Sequence, residues 1–259
     1  MKNKIIKFFD YEAIYKMHQK ELIDIIDDVG NRGAYIMQDD LKTFENKIAD
    51  YTGCKYAVGV ANATDAMQLM FKAGNLDYND EVIFCSHTMI ATASAINFSG
   101  AKPIPVEAGN DHLIDCASIE NSINKNTKAI VVTQLNGRIA NMNNIQNIAD
   151  KYNLDIYEDS AQALGAKYNG IFAGNFGKAG CISFYPAKII GCLGDGGMVL
   201  SNDKEIYEKI ILMRDHGRDE HGNIKLWGYN SRLDNLQAAI LNYFFKFHEE
   251  NIERRRQIA

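Results

Sequence analysis

Proline is scarce in this chain of 259 residues, with three in all, and tryptophan occurs once. So few prolines exclude a proline-rich linker, and neither an internal repeat nor a low-complexity tract interrupts the sequence. The five cysteines, Cys54, Cys85, Cys116, Cys181 and Cys192, are an odd number without a Cys-x-x-Cys pair. That fits reduced thiols, not a disulfide framework or a zinc cluster. The six histidines show no spacing such as His-Glu-x-x-His, so no metal is expected. Positive charge is in deficit, with a formal net charge of -5 and an isoelectric point near 5.7. Without a broad basic face, nucleic acid is not an expected partner. No stretch approaches the ~20 apolar residues of a membrane span. Residues 1–7 lack the apolar core of a signal peptide. The expected location is the cytoplasm, with no membrane partner.

What is present is ample apolar content, 46%. A chain of this length can bury a substantial core, as one large domain or two small ones. Residues 13–29 place apolar side chains at helical spacing, with Gly30 and Gly33 as the stop; they serve core packing or a subunit interface. A second helix starts at Asp39 and Asp40, carries the stripe Leu41, Phe44, Ile48 and Tyr51, and ends at Gly53. From Lys55 strands and helices alternate. Strands are expected over residues 56–60, 81–86, 103–106, 129–134, 155–158, 181–185 and 198–201, with helices over 64–73 and 90–98. Such alternation implies an α/β fold: a mostly parallel sheet covered by helices on both faces. The link between the last two strands is too short for a helical crossover, so one of them is expected to run antiparallel. A small hairpin should turn at Asn169 and Gly170. Residues 235–259 read as one long helix, with Leu236, Ala239, Ile240, Tyr243 and Phe244 on one face and no capping glycine at its end.

One lysine stands out chemically. Lys188 lies in an apolar run, beside Ala187, Ile189 and Ile190, that enters a glycine-rich turn, Gly194-Asp-Gly-Gly. Desolvation lowers a lysine's pKa toward the range where the neutral amine is a nucleophile able to form a Schiff base. Alone, such a lysine is more often one that snorkels to water. Asp159 changes the balance. It closes an apolar strand pattern, at the carboxyl end where open α/β sheets hold their ligands. A Schiff-base lysine with an acid for a pyridinium nitrogen is the pairing of pyridoxal phosphate sites. Residues 62–65, Asn-Ala-Thr-Asp, sit between a strand and a helix, either an ordinary N-cap or an anion site.

The chain resembles the DegT-like sugar-nucleotide aminotransferases. The resemblance rests on residues 61–66, 79–83, 135–138, 158–163, 183–188, 194–197, 216–218 and 230–234, in family order across nearly the whole sequence. Asn79 replaces a usual glycine, a mild change because asparagine also tolerates a left-handed turn. The resemblance implies the seven-stranded, aspartate-aminotransferase-type large domain over residues 1–259, without the family's smaller C-terminal domain. It implies a pyridoxal 5'-phosphate cofactor on Lys188, with Thr64, the Asp65 amide and Ser183 at the phosphate. Asp159 would meet the ring nitrogen and Gln162 the ring hydroxyl. Asn230 would reach a phosphate across a homodimer with shared active sites. Met89 stands where an aromatic side chain usually lies flat on the ring, and offers polarisable packing without a π face. The implied reaction moves an amino group from an amino-acid donor, glutamate by resemblance, to a nucleotide-sugar substrate, with Lys188 as the catalytic proton carrier. Relatives with histidine at that position dehydrate instead. Arg138, Tyr185, His216, Arg218 and Arg232 are weaker candidates for binding the substrate's anions. Two other readings remain: another pyridoxal-dependent lyase, or a regulatory homologue without activity. The desulfurase form of the first needs a reactive cysteine in a mobile loop, and no cysteine stands in such a motif.

Overall fold

The computed structural model describes residues 6–259, so the reading of residues 1–7 falls largely outside it. Three helices lead in: α1 (Tyr11–Met17), α2 (Gln19–Arg32) and α3 (Asp39–Thr52). Then β1 (Tyr56–Val60), α4 (Ala63–Ala73), β2 (Glu81–Cys85), α5 (Ile90–Ser99), β3 (Lys102–Val106), α6 (Cys116–Ser122), β4 (Thr127–Thr133), α7 (Met142–Tyr152) and β5 (Asp155–Asp159) alternate. A hairpin, β6 (Lys167–Tyr168) and β7 (Ile171–Phe172), precedes β8 (Ala179–Ser183), β9 (Gly197–Ser201) and α8 (Lys204–Met213). Helices α9 (Asn235–Phe244) and α10 (His248–Ile258) follow.

Seven strands form one sheet in the order β1-β9-β8-β5-β4-β2-β3. The pairs among β3, β2, β4, β5 and β8 are parallel, while β9 runs antiparallel to both β8 and β1. The short link from β8 to β9 thus does what its length demands. Successive side chains alternate between two covered faces, which is why the strands read as continuous apolar runs. Val82, Phe84, Ala129, Val131 and Tyr157 pack with Met67, Met70 and Phe71 of α4 and Ile96 of α5. Ile83, Ile130, Val132 and Ile156 pack the other way, against Ile119 of α6 and Ile145 of α7. Further along that side, Ile182, Phe184 and Met198 meet Phe44 and Ile48 of α3 and Leu241 of α9. The hairpin turns at Asn169 (φ 50°) and Gly170 (φ 84°), two left-handed residues in succession, as a type I′ turn requires.

Two expectations need correction. The single helix over 13–29 is two helices broken at His18, and Gly30 lies inside α2, which ends at the left-handed Gly33. The single helix over 235–259 is likewise interrupted by a 3-10 turn at Phe245–Phe247. One aromatic cluster accounts for both breaks. The His18 ring lies 5.3 to 5.6 Å from the rings of Tyr243, Phe244 and Phe247, and its Nδ1 is 2.9 Å from the Tyr243 hydroxyl. Apolar periodicity carries no record of such a distant contact. Among the described residues no helix is long and apolar enough to cross a membrane, and no cluster of side chains could hold a metal.

Candidate active site

The site is built where parallel strands end. Register pairs Thr133 of β4 with Asp159 of β5, and Asp159 with Cys181 of β8. The period of two puts Asp159 on the Tyr157 face, toward α5, and Glu158 on the opposite face. Asp159 is 5% exposed. Its Oδ2 accepts a hydrogen bond from the Thr92 hydroxyl at 2.7 Å, its Oδ1 accepts one from the Ala161 amide at 3.2 Å, and the Cys181 thiol lies 3.6 Å from Oδ1. Among the described residues this buried carboxylate has no ion pair.

Lys188 sits in a loop that closes on itself. The Phe184 amide donates to the Gly196 carbonyl (2.8 Å), the Cys192 amide to the Phe184 carbonyl (2.9 Å) and the Lys188 amide to the Tyr185 carbonyl (2.9 Å). Burial draws the half-buried Lys188 amine below its ordinary pKa, and Asp159 and Cys181 oppose that drop. Amine and carboxylate are therefore within electrostatic reach of each other without forming an ion pair.

The N-terminus of α4 meets the start of β9. Asn62, extended at φ -166°, caps the helix: its side-chain oxygen accepts from the Asp65 amide at 2.8 Å and its carbonyl from the Ala66 amide at 3.0 Å. The Asp65 amide, expected on a ligand phosphate, is thus engaged with Asn62. The amides of Ala63 and Thr64 are the first-turn donors that remain, beside the half-buried Thr64 hydroxyl. The Asp65 carboxylate is held from outside by the Ser231 hydroxyl at 2.7 Å. Gly197 lets β9 approach this corner: a Cβ there would lie 2.3 Å from the Asn62 carbonyl carbon.

The remaining expected residues fall as follows. Ser183 Oγ accepts from the Tyr185 amide at 3.3 Å, which leaves its hydroxyl hydrogen to donate. Gln162 is exposed, and its side-chain oxygen accepts from the Asn136 amide at 2.7 Å, leaving the NH2 for a ligand. Met89 is 65% exposed, and its sulfur accepts from the Ala91 amide at 3.1 Å, so it caps α5. Asn230, with Ala61, Asp195 and Arg232, lines a cavity of about 550 Å³ whose lining does not include Lys188. Arg218 and Arg232 both bond Asp215, at 2.8 and 2.7 Å, and hold its carboxyl below the ordinary range although burial alone would raise it. They are tied into the fold, whereas Arg138 is exposed. Sequence reasoning missed Thr92, Thr88 and Glu158. The four-residue spacing of Thr88 and Thr92, which stacks them on one side of a helix start, was the signal available.

Residues 16–259 match the model of the DegT/DnrJ/EryC1/StrS aminotransferase family. The chain belongs to this family. It is 43% identical over 256 residues to a dTDP-3-amino-3,6-dideoxy-alpha-D-galactopyranose transaminase of Aneurinibacillus thermoaerophilus, covering 98% of this chain and 70% of the relative. The crystal structure of a family aminotransferase from Brucella abortus superposes with a TM-score of 0.91 at 32% identity, over 98% of this chain and 70% of that one. That of NtdA from Bacillus subtilis, with bound cofactor PMP, gives 0.87 at 28%, over 96% and 58%. The family's aminotransferases depend on pyridoxal phosphate, and the expected α/β fold with its seven-stranded, mostly parallel sheet is the family's own.

Proposed function

We propose that this chain binds pyridoxal 5'-phosphate and transfers an amino group from an amino acid, glutamate by resemblance, to a keto sugar carried on a nucleotide. The observation that carries the reading is the pair formed by a buried Asp159 without an ion pair and a half-buried Lys188 close enough to feel its charge. A carboxylate removed from water is costly without a cationic partner, and a protonated pyridine ring would supply one. The donors at the α4 N-terminus and the Ser183 hydroxyl suit a phosphate, and the Gln162 NH2 suits a ring hydroxyl. The residues present fit the group.

When bound, such a cofactor supplies a carbonyl carbon that takes up amines and a ring that accepts an electron pair. Lys188 would hold it covalently and, once displaced by the donor's amine, carry a proton at Nζ between the donor carbon and the cofactor carbon, and in the reverse sense for the sugar. Burial favours the neutral amine that can accept this proton. Asp159 would keep the ring nitrogen cationic by facing it as an anion. Sugar-nucleotide transaminase relatives support the substrate class. A homodimer sharing its sites, with Asn230 reaching the partner's phosphate, is what the family resemblance implies.

The test is direct. Protein incubated with pyridoxal 5'-phosphate and reduced with borohydride should carry the adduct on Lys188 in peptide mass spectra, and Lys188→Ala should lose it. With glutamate and a panel of nucleotide keto sugars, wild type should give the amino sugar. An adduct retained at full yield in Lys188→Ala would refute the assignment.

A further inference from the structure

A line of buried or half-buried hydroxyls ends on the Asp159 carboxylate. Thr92 Oγ1 lies 2.7 Å from Asp159 Oδ2, Thr88 Oγ1 lies 2.9 Å from Thr92 Oγ1, and Thr133 Oγ1 lies 3.1 Å from Thr88 Oγ1. Distances alone leave the direction of the last two bonds open. Valence settles it. An ionised carboxylate only accepts, so the Thr92 hydrogen must point at Asp159. Having used its one hydrogen, Thr92 must accept from Thr88, and by the same count Thr88 must accept from Thr133. The three O–H dipoles then point the same way, head to tail, toward the carboxylate.

Resting on the functional reading above, we propose that Thr92 is a positioning residue for the reaction, backed by Thr88 and Thr133. The hydroxyl chain fixes the carboxylate's orientation opposite the cofactor ring. Aligned hydrogen bonds polarise one another in a low-dielectric interior, and bonds to an ionised group are the stronger kind. Thr92 is fully buried in the first turn of α5, and Thr133 is buried at the end of β4. Two elements, α5 and β4, and the loop between β2 and α5 that carries Thr88 therefore converge on Asp159. The other groups that face this carboxylate are the Ala161 amide, the Cys181 thiol from β8 and the Lys188 amine from the loop after it. None of them comes from the α5 side.

The experiment compares Thr92→Val, which keeps the shape and removes the hydroxyl, with Thr92→Ser, which keeps the hydroxyl, and with Thr88→Val. For Thr92→Val the Kd for pyridoxal 5'-phosphate, read by absorbance titration, should rise about tenfold or more, as for loss of a hydrogen bond to a charged group. The bound cofactor's absorption band should become pH-dependent where wild type is flat. Thr92→Ser should stay within about threefold of wild type, and Thr88→Val should fall between the two. In cofactor-free wild type the buried Thr92 hydroxyl proton should give a protected, downfield NMR resonance, absent from Thr92→Val. Wild-type affinity and spectrum in Thr92→Val, or a Thr92→Ser as impaired as Thr92→Val, would overturn the proposal. Absence of the protected resonance would overturn it as well. That last readout needs no cofactor, so it separates failure of the hydroxyl chain from failure of the functional reading, which would show instead as no borohydride adduct on wild-type Lys188.

Discussion

His248 is fully buried with neither ring nitrogen hydrogen-bonded, an arrangement that exacts a cost in acid. Its ring stacks on Phe245 at 5.4 Å and meets Tyr51 at 5.1 Å, and burial lowers its pKa to about 4 although Glu249 opposes this. The unfolded chain takes up the proton near the ordinary value of about 6.5. Above that pH both states are neutral and the residue contributes nothing; as pH falls from about 6.5 toward 4 only the unfolded state is protonated, and stability is lost. Replacement by Phe should remove this component. Unfolding free energies from denaturant titrations at pH 7 and pH 5 should draw together in His248→Phe by on the order of 2 kcal/mol relative to wild type. An unchanged difference would show that the ring finds a partner on protonation. At the scale of single residues, the sequence showed groups whose chemistry is unusual for their surroundings. Lys188 among isoleucines and Asp159 at a strand end were visible for that reason. Thr92 and Thr88 were not, because a threonine hydroxyl at a helix start is ordinary until its acceptor is known.

Elements were legible where one apolar period ran between turn signals. The boundaries of β1 and α3 follow from the letters, as does the turn at Asn169 and Gly170. Helices α6, α7 and α8 were subsumed in a general expectation of covering helices, and the breaks at His18 and Phe245–Phe247 depend on contacts more than 200 positions apart. Glu158 belongs to the same hidden class. Fully buried, its Oε1 accepts from the Phe176 amide at 2.7 Å, and its Oε2 from the Gly174 amide at 3.0 Å and the Gln134 side chain at 2.8 Å. It thereby fastens the loop between β7 and β8 beneath the sheet. In Glu158→Gln one oxygen becomes an NH2 group, which must face at least one backbone donor whichever way the amide turns. An unmet buried donor costs about 1–3 kcal/mol, so the denaturation midpoint should fall accordingly. Amide exchange at Gly174 and Phe176 should quicken while the hairpin register persists. Wild-type stability would show that the loop holds itself.

At the scale of the whole molecule, the sheet's outer strand β1 is sealed where it could have paired with another chain. Glu45 accepts the Gly59 amide at 2.7 Å, Arg214 donates to the Gly59 carbonyl at 3.0 Å, and the two side chains pair with each other. Covering an edge in this way prevents strand-to-strand association. Apolar surface is left elsewhere: α1 buries none of its residues, Met17 and Ile90 are largely exposed, and the lone tryptophan, Trp227, is 96% exposed. An indole so open to water is a liability in a monomer and a familiar anchor in an interface. If two copies associate, they should do so through these side chains, not through β1. Trp227 emission, free of any other tryptophan, should then shift to shorter wavelength as protein concentration is raised through the range where sedimentation velocity shows the dimer forming. Trp227→Ala should move that midpoint to at least tenfold higher concentration without altering the far-ultraviolet circular dichroism. A dimer that forms while Trp227 keeps its water-exposed emission would place the interface on another face.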